Sequence, residues 1–469
     1  MKQLIRISTA LLGMAAISLP AHAGSVTFTS SSGGDWMAAE NWTPATIPTE
    51  ADDATISLGV EFAAVTIRAG GALAKNLTLA ASGSDPINGV ALIFISNAAS
   101  LTTGAFSIGG SSGQTSTLQF NGAGTLIADS LDLGAGESRA NIIFGAPGTL
   151  TIGNGTGSIT KSDIANSEIL SRSPVAPTIQ AATIKVTTLG VGDNKGGEFN
   201  IDSGQTYHTT SVNVSNSEGN DDENATLSIN GGQLNTTYFN ILAGTMNNEM
   251  NAVVNLNGGT LSSSLIQRVW KGASQTFNWN DGTISNEAGK DLKLKSTADE
   301  SCNLVLSLSG EGTHTFNTEN DATITLESTA ILADQPGQHG TLMIRGGGIV
   351  EIQSTGNTYS GKTTLAEGTL FLSDGSLGTG DVDVADQAVL ALGNNSALKG
   401  NGVTLSGSAS RMDLNYGGNL EIKSLALKGG PVAPGTYTAS QLDAKYGGNW
   451  FAKSTGTGTL TVNPVFKTR

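Results

Sequence analysis

Apolar and polar residues alternate in short runs along the middle of the chain, and each run ends at a glycine turn. The clearest examples are residues 225–234, 252–261 and 275–284, whose final apolar residues follow one another at intervals of 27 and 23 residues. A weaker copy occupies residues 197–204. Alternation with a period of two predicts short β-strands, and a repeat of about 20–50 residues is typical of a solenoid. Stacked copies would bury the apolar faces and strand edges that one copy leaves exposed.

Helical patterns are rare, and only residues 440–445 and part of the stretch 161–170 are predicted to form helical turns. A β-propeller is one alternative, but its blades need about 40 residues. A β-sandwich of separate domains is another. Units of 23 and 27 residues fit one coil of a parallel β-helix better. The predicted fold class is therefore an all-β parallel β-helix with end caps.

The first residues have the features of a secretory signal peptide. Lys2 and Arg6 precede the apolar run 11–19, and small residues at Ala21 and Ala23 form a cleavage site. No other segment approaches the roughly 20 apolar residues that a membrane-spanning helix needs. We expect export to the periplasm, the cell surface or the extracellular space.

The remaining chain divides into segments whose boundaries are approximate. Trp36 and Trp42 are expected to cover the first coil, because an exposed strand edge invites aggregation. The predicted segments are a signal peptide (1–23), an N-terminal cap (24–56), irregular repeats (57–345), the clearest repeat (346–399), and C-terminal coils with a cap (400–469).

One part of the chain resembles a known family. The phrase Asn357-Thr-Tyr359-Ser-Gly361-Lys-Thr-Thr, followed by Gly368-Thr-Leu370, is similar to the autotransporter-associated β-strand repeat, also called the passenger-associated transport repeat. The resemblance implies a right-handed parallel β-helix exported by a Gram-negative bacterium, and it brings no catalytic motif. The residues after the repeats do not resemble a translocator domain, so a secreted scaffold is expected rather than a self-transporting passenger.

Composition narrows the range of partners. The chain has 24 Lys and Arg against 39 Asp and Glu, with a net charge of −15. Such a surface repels nucleic acid and anionic polymers. Charged residues make up only 13% of the chain, compared with about 25% in ordinary domains. The single cysteine, Cys302, is expected to be a small residue on a buried strand.

Candidate chemistry is sparse. An inverting polysaccharide hydrolase needs two carboxyl groups about 6.5–9.5 Å apart, and the acidic doublets are Asp52-Asp53 and Asp221-Asp222. His339 is too distant in sequence to join either doublet and is interpreted as a loop residue. Residues from different coils can still become neighbours, so a hydrolase or lyase with carboxylates converging across coils stays open as the alternative.

Two binding sites are predicted from residue type. Asp221, Asp222 and Glu223 offer the oxygen ligands that Ca²⁺ prefers, although they lack the spacing of a known calcium loop, and a solvated loop is the alternative. Trp270 and Trp279 fall in successive units and could stack on sugars. Their alternative role is internal stacking in the core.

These observations favour an exported, non-enzymatic β-helix that acts as a structural or adhesion scaffold. Extracellular glycans or cell-surface components are the expected partners, and no cofactor or nucleic acid is expected.

Overall fold

The computed structural model describes residues 24–58, 63–82, 89–110, 113–135, 138–161, 166–192, 196–215, 224–242, 251–270, 274–298 and 302–464. These residues form a parallel β-solenoid of about 14 turns, which confirms the predicted fold class. Helical structure is limited in this part of the chain to Ala439–Tyr446 and the 3₁₀ turns Ala39–Asn41 and Gly153–Gly155. None of these helices is long and apolar enough to cross a membrane.

Most turns contribute strands to three parallel sheets, which we call faces A, B and C. Strands that belong to face A alone are Ser25–Phe28, Asp53–Leu58, Asn76–Ala81, Ser158–Lys161, Thr183–Lys185, His314–Thr318, Leu342–Gly346, Thr363–Leu365, Val382–Val384, Gly402–Leu405 and Ser424–Leu427. Strands of face B alone are Gly34–Asp35, Ala63–Ile67, Gly89–Phe94, Thr115–Phe120, Arg139–Phe144, Asn166–Ser171, Thr188–Val191, Leu292–Ser296, Thr323–Leu326, Ile349–Ile352, Thr369–Leu372, Val389–Leu392 and Arg411–Leu414.

Face C consists of two separate runs of strands. Its strands are Ala72–Ala74, Thr149–Ile152, Thr178–Gln180, Gly197–Asp202, Asn224–Asn230, Leu304–Leu308 and Ala330–Asp334. Longer strands bend between faces: Ser100–Gly110, Thr125–Ala135 and Gln275–Asn286 run from C to A, Thr206–Val214 and Gln233–Ile241 run from A to B, and Asn251–Arg268 crosses all three.

The register follows the repeat predicted from sequence. Leu234 lies opposite Leu261, which lies opposite Ile284, so the intervals of 27 and 23 residues each correspond to one turn. Inward residues of the faces form one continuous buried core. Within it, the rings of Phe94, Phe120 and Phe144 stack at centroid distances of 4.8 and 4.9 Å.

Both ends of the solenoid are covered. At the N-terminal end the indoles of Trp36 and Trp42 are fully buried in edge-to-face contact at 4.9 Å, and Trp42 Nε1 donates to the Trp36 carbonyl. Trp42–Thr43 pairs antiparallel with Ser25–Phe28. The C-terminal end carries the short strands Asn419–Ile422, Gly430–Pro431, Gly435–Tyr437 and Thr459–Val462 beside the helix Ala439–Tyr446.

Four residues in the segment 357–370 have structural roles. Asn357, Tyr359 and Thr363 are buried, and the Tyr359 and Thr363 hydroxyls are 2.7 Å apart. Burial raises the pKa of Tyr359 to about 12. At Gly361 an added Cβ would lie 2.3 Å from the Gly340 carbonyl oxygen, so this position needs glycine. These residues therefore allow consecutive turns of the solenoid to stack closely.

One local prediction was confirmed and one was wrong. The helix predicted at 440–445 is present as Ala439–Tyr446. Within 161–170, Lys161 and residues 166–170 belong to the strands Ser158–Lys161 and Asn166–Ser171, and residues 162–165 lie outside the described residues, so the helical turn predicted in part of this stretch stays a prediction. Cys302 is half-buried and precedes the strand Leu304–Leu308, so it does not occupy a buried strand position.

Candidate functional site

The indole predicted to stack on sugars at Trp279 lies in the core. Trp279 is fully buried, its Nε1 donates to the Gly282 carbonyl at 3.2 Å, and its ring meets Phe316 edge-to-face at 5.0 Å. The stacking role predicted for Trp279 is therefore wrong, because its inward strand position places the indole in the core. Trp270 is partly buried and packs against the same core.

The predicted metal ligands Asp221, Asp222 and Glu223 lie outside the described residues. Among the described residues, no group of three or more His, Cys, Asp or Glu side chains is placed to hold a metal ion.

The acidic doublet at Asp52 and Asp53 is divided between two environments. Asp52 is buried and accepts hydrogen bonds from the Thr49 amide and hydroxyl at 3.0 and 2.6 Å. Asp53 is exposed, and its Oδ1 accepts a hydrogen bond from Asn76 Nδ2 at 2.7 Å. The two carboxylates thus have separate structural partners.

Several other carboxylates join consecutive turns. Their Oδ1 atoms accept hydrogen bonds of 2.8–2.9 Å from backbone N–H groups one turn away: Asp281 from Thr313, Asp291 from Thr323, Asp381 from Gly402 and Asp386 from Ala409. At Asp383, partial burial acts to raise the pKa, but hydrogen bonds from Lys362 and Ser406 hold it below its ordinary value. A carboxylate stabilised in its ionised form is a poor general acid.

One serine lies within hydrogen-bond distance of one histidine and one aspartate, but the serine lies between the other two and is not activated as a nucleophile. Ser360 Oγ donates to Asp334 Oδ2 at 2.6 Å, and His339 Nδ1 lies 2.6 Å from the same hydroxyl. A catalytic triad needs histidine between the serine and the acid. Here the serine proton is directed to the carboxylate, so the arrangement fixes a turn.

Face C carries an ordered set of polar side chains that the sequence analysis did not single out. Eight outward residues on four neighbouring strands form two columns, which we call the amide array. One column is Asn200, Ser228, Asn255 and Asn278, and the other is Asp202, Asn230, Asn257 and Asn280. All eight are half-buried or exposed.

Side-chain hydrogen bonds connect the array from turn to turn. In the second column, Asn230 Nδ2 donates to Asp202 at 3.0 Å, Asn257 to Asn230 at 2.9 Å, and Asn280 to Asn257 at 2.6 Å. In the first column, Asn278 donates to Asn255 at 2.8 Å and Asn255 donates to Ser228 at 3.2 Å. These bonds orient the amides of Asn230, Asn255, Asn257, Asn278 and Asn280.

A groove of about 600 Å³ adjoins the Asp202 end of the array. Its polar lining includes Asn154, Thr156, Gln180, Asp202 and Gln205. Thr151 Oγ1 donates to Gln180 Oε1 at 2.8 Å, and Gln205 Oε1 accepts from the Asp202 amide at 2.8 Å. Asp202 is shared by groove and array, so the two form one polar surface.

A second cavity of about 560 Å³ lies near the C-terminal end and includes Lys399. The Lys399 ammonium donates to the Thr355 and Asn357 carbonyls at 3.0 and 2.8 Å. Burial lowers the pKa of Lys399. This ammonium therefore already serves to join turns of the solenoid.

Fold and surface together define the chain as a β-solenoid protein with polar side-chain ladders. Comparisons with protein-family models, curated proteins and solved structures found no match.

The sequence did contain a signal for the amide array. The segments Ser228-Ile-Asn-Gly231, Asn255-Leu-Asn-Gly258 and Asn278-Trp-Asn-Asp281 repeat polar residues at matching positions in consecutive units. Those positions alternate with core residues and therefore point outward on the strands.

Proposed function

We propose that this chain is an exported, non-enzymatic scaffold that works at the cell surface or outside the cell and contacts glycans. The observation that supports this proposal most is that polar side chains form hydrogen bonds between consecutive turns. Surface amides pair with one another, and turn carboxylates accept hydrogen bonds from the backbone of the next turn. Such chemistry favours a rigid, continuous surface over a reacting centre.

Two features of the sequence support the same proposal. Residues 1–23 have the pattern of a secretory signal, and residues 346–399 resemble the repeat of exported passenger proteins. A solenoid gives an exported protein a long lateral surface, on which repeated weak contacts add together.

A turnover assay separates this proposal from the enzyme alternative. The purified mature chain is incubated with neutral and acidic polysaccharides, and new reducing ends and unsaturated products are followed over time. We expect neither product. Sustained turnover that is lost in Asp202→Asn or Asp383→Asn would show that carboxylates converging across coils catalyse a reaction, and the scaffold proposal would fail.

Export is tested separately by fractionating cells that produce the full chain. We expect the mature protein outside the cytoplasm, and we expect it in the cytoplasm when residues 1–23 are deleted. Cytoplasmic retention of the full chain would contradict the assigned location.

A further inference from the structure

We infer that the amide array is the lateral binding surface for an uncharged, hydroxyl-rich polymer that lies along the solenoid axis. This inference rests on the proposed scaffold function and adds the site, the ligand class and the binding orientation.

The first step is a count of hydrogen-bonding capacity. A side-chain amide has two N–H donors and a carbonyl oxygen with two lone pairs. Asn257 uses one N–H toward Asn230 and accepts one bond from Asn280. One donor and one acceptor site remain beyond these ladder bonds at the solvent-exposed side chain. A sugar hydroxyl can both donate and accept, which matches this pair.

The second step is charge. Seven of the eight array positions are Asn or Ser and carry no charge, and the remaining one is Asp202. The chain as a whole has a net charge of −15. The negative net charge repels an anionic polymer, and no array member carries a positive charge that would compensate. A neutral polymer meets no such repulsion.

The third step is spacing. Neighbouring strands lie about 4.8 Å apart, so the four strands span about 14 Å along the axis. The ladder bonds hold the amides at this spacing, which lowers the ordering cost of binding. The groove at Asp202 extends the polar surface beyond Gly197–Asp202, the first of the four strands. A polymer along the axis would therefore contact several amides at once, and a single sugar would contact few.

Paired variants test the site. Asn257→Ala/Asn280→Ala interrupts the array, while Asn213→Ala/Asn240→Ala interrupts a similar ladder on face B, where Asn240 donates to Asn213 at 2.9 Å. Binding is measured by affinity electrophoresis in gels containing dextran, starch, mannan or a neutral β-glucan, with polygalacturonate as the charged comparison. Urea unfolding of each variant checks that the solenoid remains folded.

We expect at least one neutral polysaccharide to retard the unmodified mature chain. The array variant should bind it at least about tenfold more weakly, because two or more hydrogen bonds are lost, and the face B variant should bind normally. Asn257→Asp, which keeps the side-chain shape but adds a negative charge, provides a second test if the double variant is unstable. It should also weaken binding.

Oligosaccharides of the polysaccharide that retards the protein test the binding orientation along the solenoid axis. Affinity should rise with chain length until the sugar spans about 14 Å, the extent of the four strands. Equal binding by the two double variants, no retardation in any neutral gel, or stronger retardation by polygalacturonate would overturn the inference. Absence of both binding and turnover would remove glycan contact but leave the exported, non-enzymatic scaffold standing. Turnover with array-dependent binding would remove the non-enzymatic scaffold and keep the binding site.

Discussion

Replacing Asn357 with alanine should destabilise the solenoid far more than replacing a surface asparagine. The side chain is 1% exposed, and its Oδ1 accepts a hydrogen bond from the Leu332 amide at 2.8 Å. Its Nδ2 donates to the Ser376 and Ser354 carbonyls at 2.7 and 3.1 Å. One side chain therefore joins backbone groups of three successive turns, and Asn357→Ala leaves them without these partners.

The size of the effect follows from those contacts. A neutral hydrogen bond contributes about 1 kcal/mol net, and each buried group left unsatisfied costs about 1–3 kcal/mol. Losing three such bonds should lower the free energy of unfolding by about 3–5 kcal/mol. Asn255→Ala is the matched control, because it removes two bonds of the half-buried array where water can replace the amide. We expect it to cost less than about 1 kcal/mol.

Urea unfolding followed by far-UV circular dichroism gives both values by linear extrapolation. Because turns of a solenoid can open locally, hydrogen exchange at the Leu332 amide provides a direct local measurement and should accelerate in Asn357→Ala. The reasoning is refuted if Asn357→Ala costs no more than Asn255→Ala and leaves exchange at Leu332 unchanged.

Three further predictions concern the core and the turns. Burial lowers the pKa of His314, so just below about pH 6.5 the unfolded chain binds a proton that the folded chain does not. The free energy of unfolding should be retained above about pH 6.5 and fall below it by up to about 1.4 kcal/mol per pH unit, until the folded-state pKa is reached. An equal acid slope in His314→Gln would contradict this. The Tyr207 hydroxyl is buried without a hydrogen-bond partner among the described residues, so Tyr207→Phe should leave unfolding unchanged or raise its free energy by up to about 1 kcal/mol, and a larger loss would refute the assignment. Gly361→Ala should cost about 2 kcal/mol or more, because its Cβ would meet the neighbouring backbone, whereas Gly429→Ala, which has open space, should be nearly neutral in the same urea assay.

The alternation of residues was sufficient to predict the fold, because burial of every second residue fixes both the strands and their register. Leu234, Leu261 and Ile284 show this most clearly, since each lies one turn from the next. The outward positions of the amide array follow from the same alternation, but its side-chain hydrogen bonds could not be predicted from it. These hydrogen bonds depend on which outward residues become neighbours, and turns of unequal length decide that alignment.

The error at Trp279 has a different cause. Residue type indicated sugar stacking, but strand alternation places the indole on the inward side, beside Phe316. At Asn166–Ser171, pairing with two neighbouring strands holds the chain in an extended conformation. Strand alternation thus decides which side chains reach the solvent, and contacts between turns hold the strands in place.

The most direct test of the central claim is a titration of side-chain amide NMR resonances. Protein labelled with ¹⁵N at asparagine is titrated with a neutral oligosaccharide long enough to span the four strands, and resonances are assigned with single alanine variants. The account predicts saturable shifts at Asn230, Asn255, Asn257 and Asn280, with Asn213 and Asn240 unchanged. Shifts confined to Asn213 and Asn240, or no shift at the array with any neutral oligosaccharide, would contradict it.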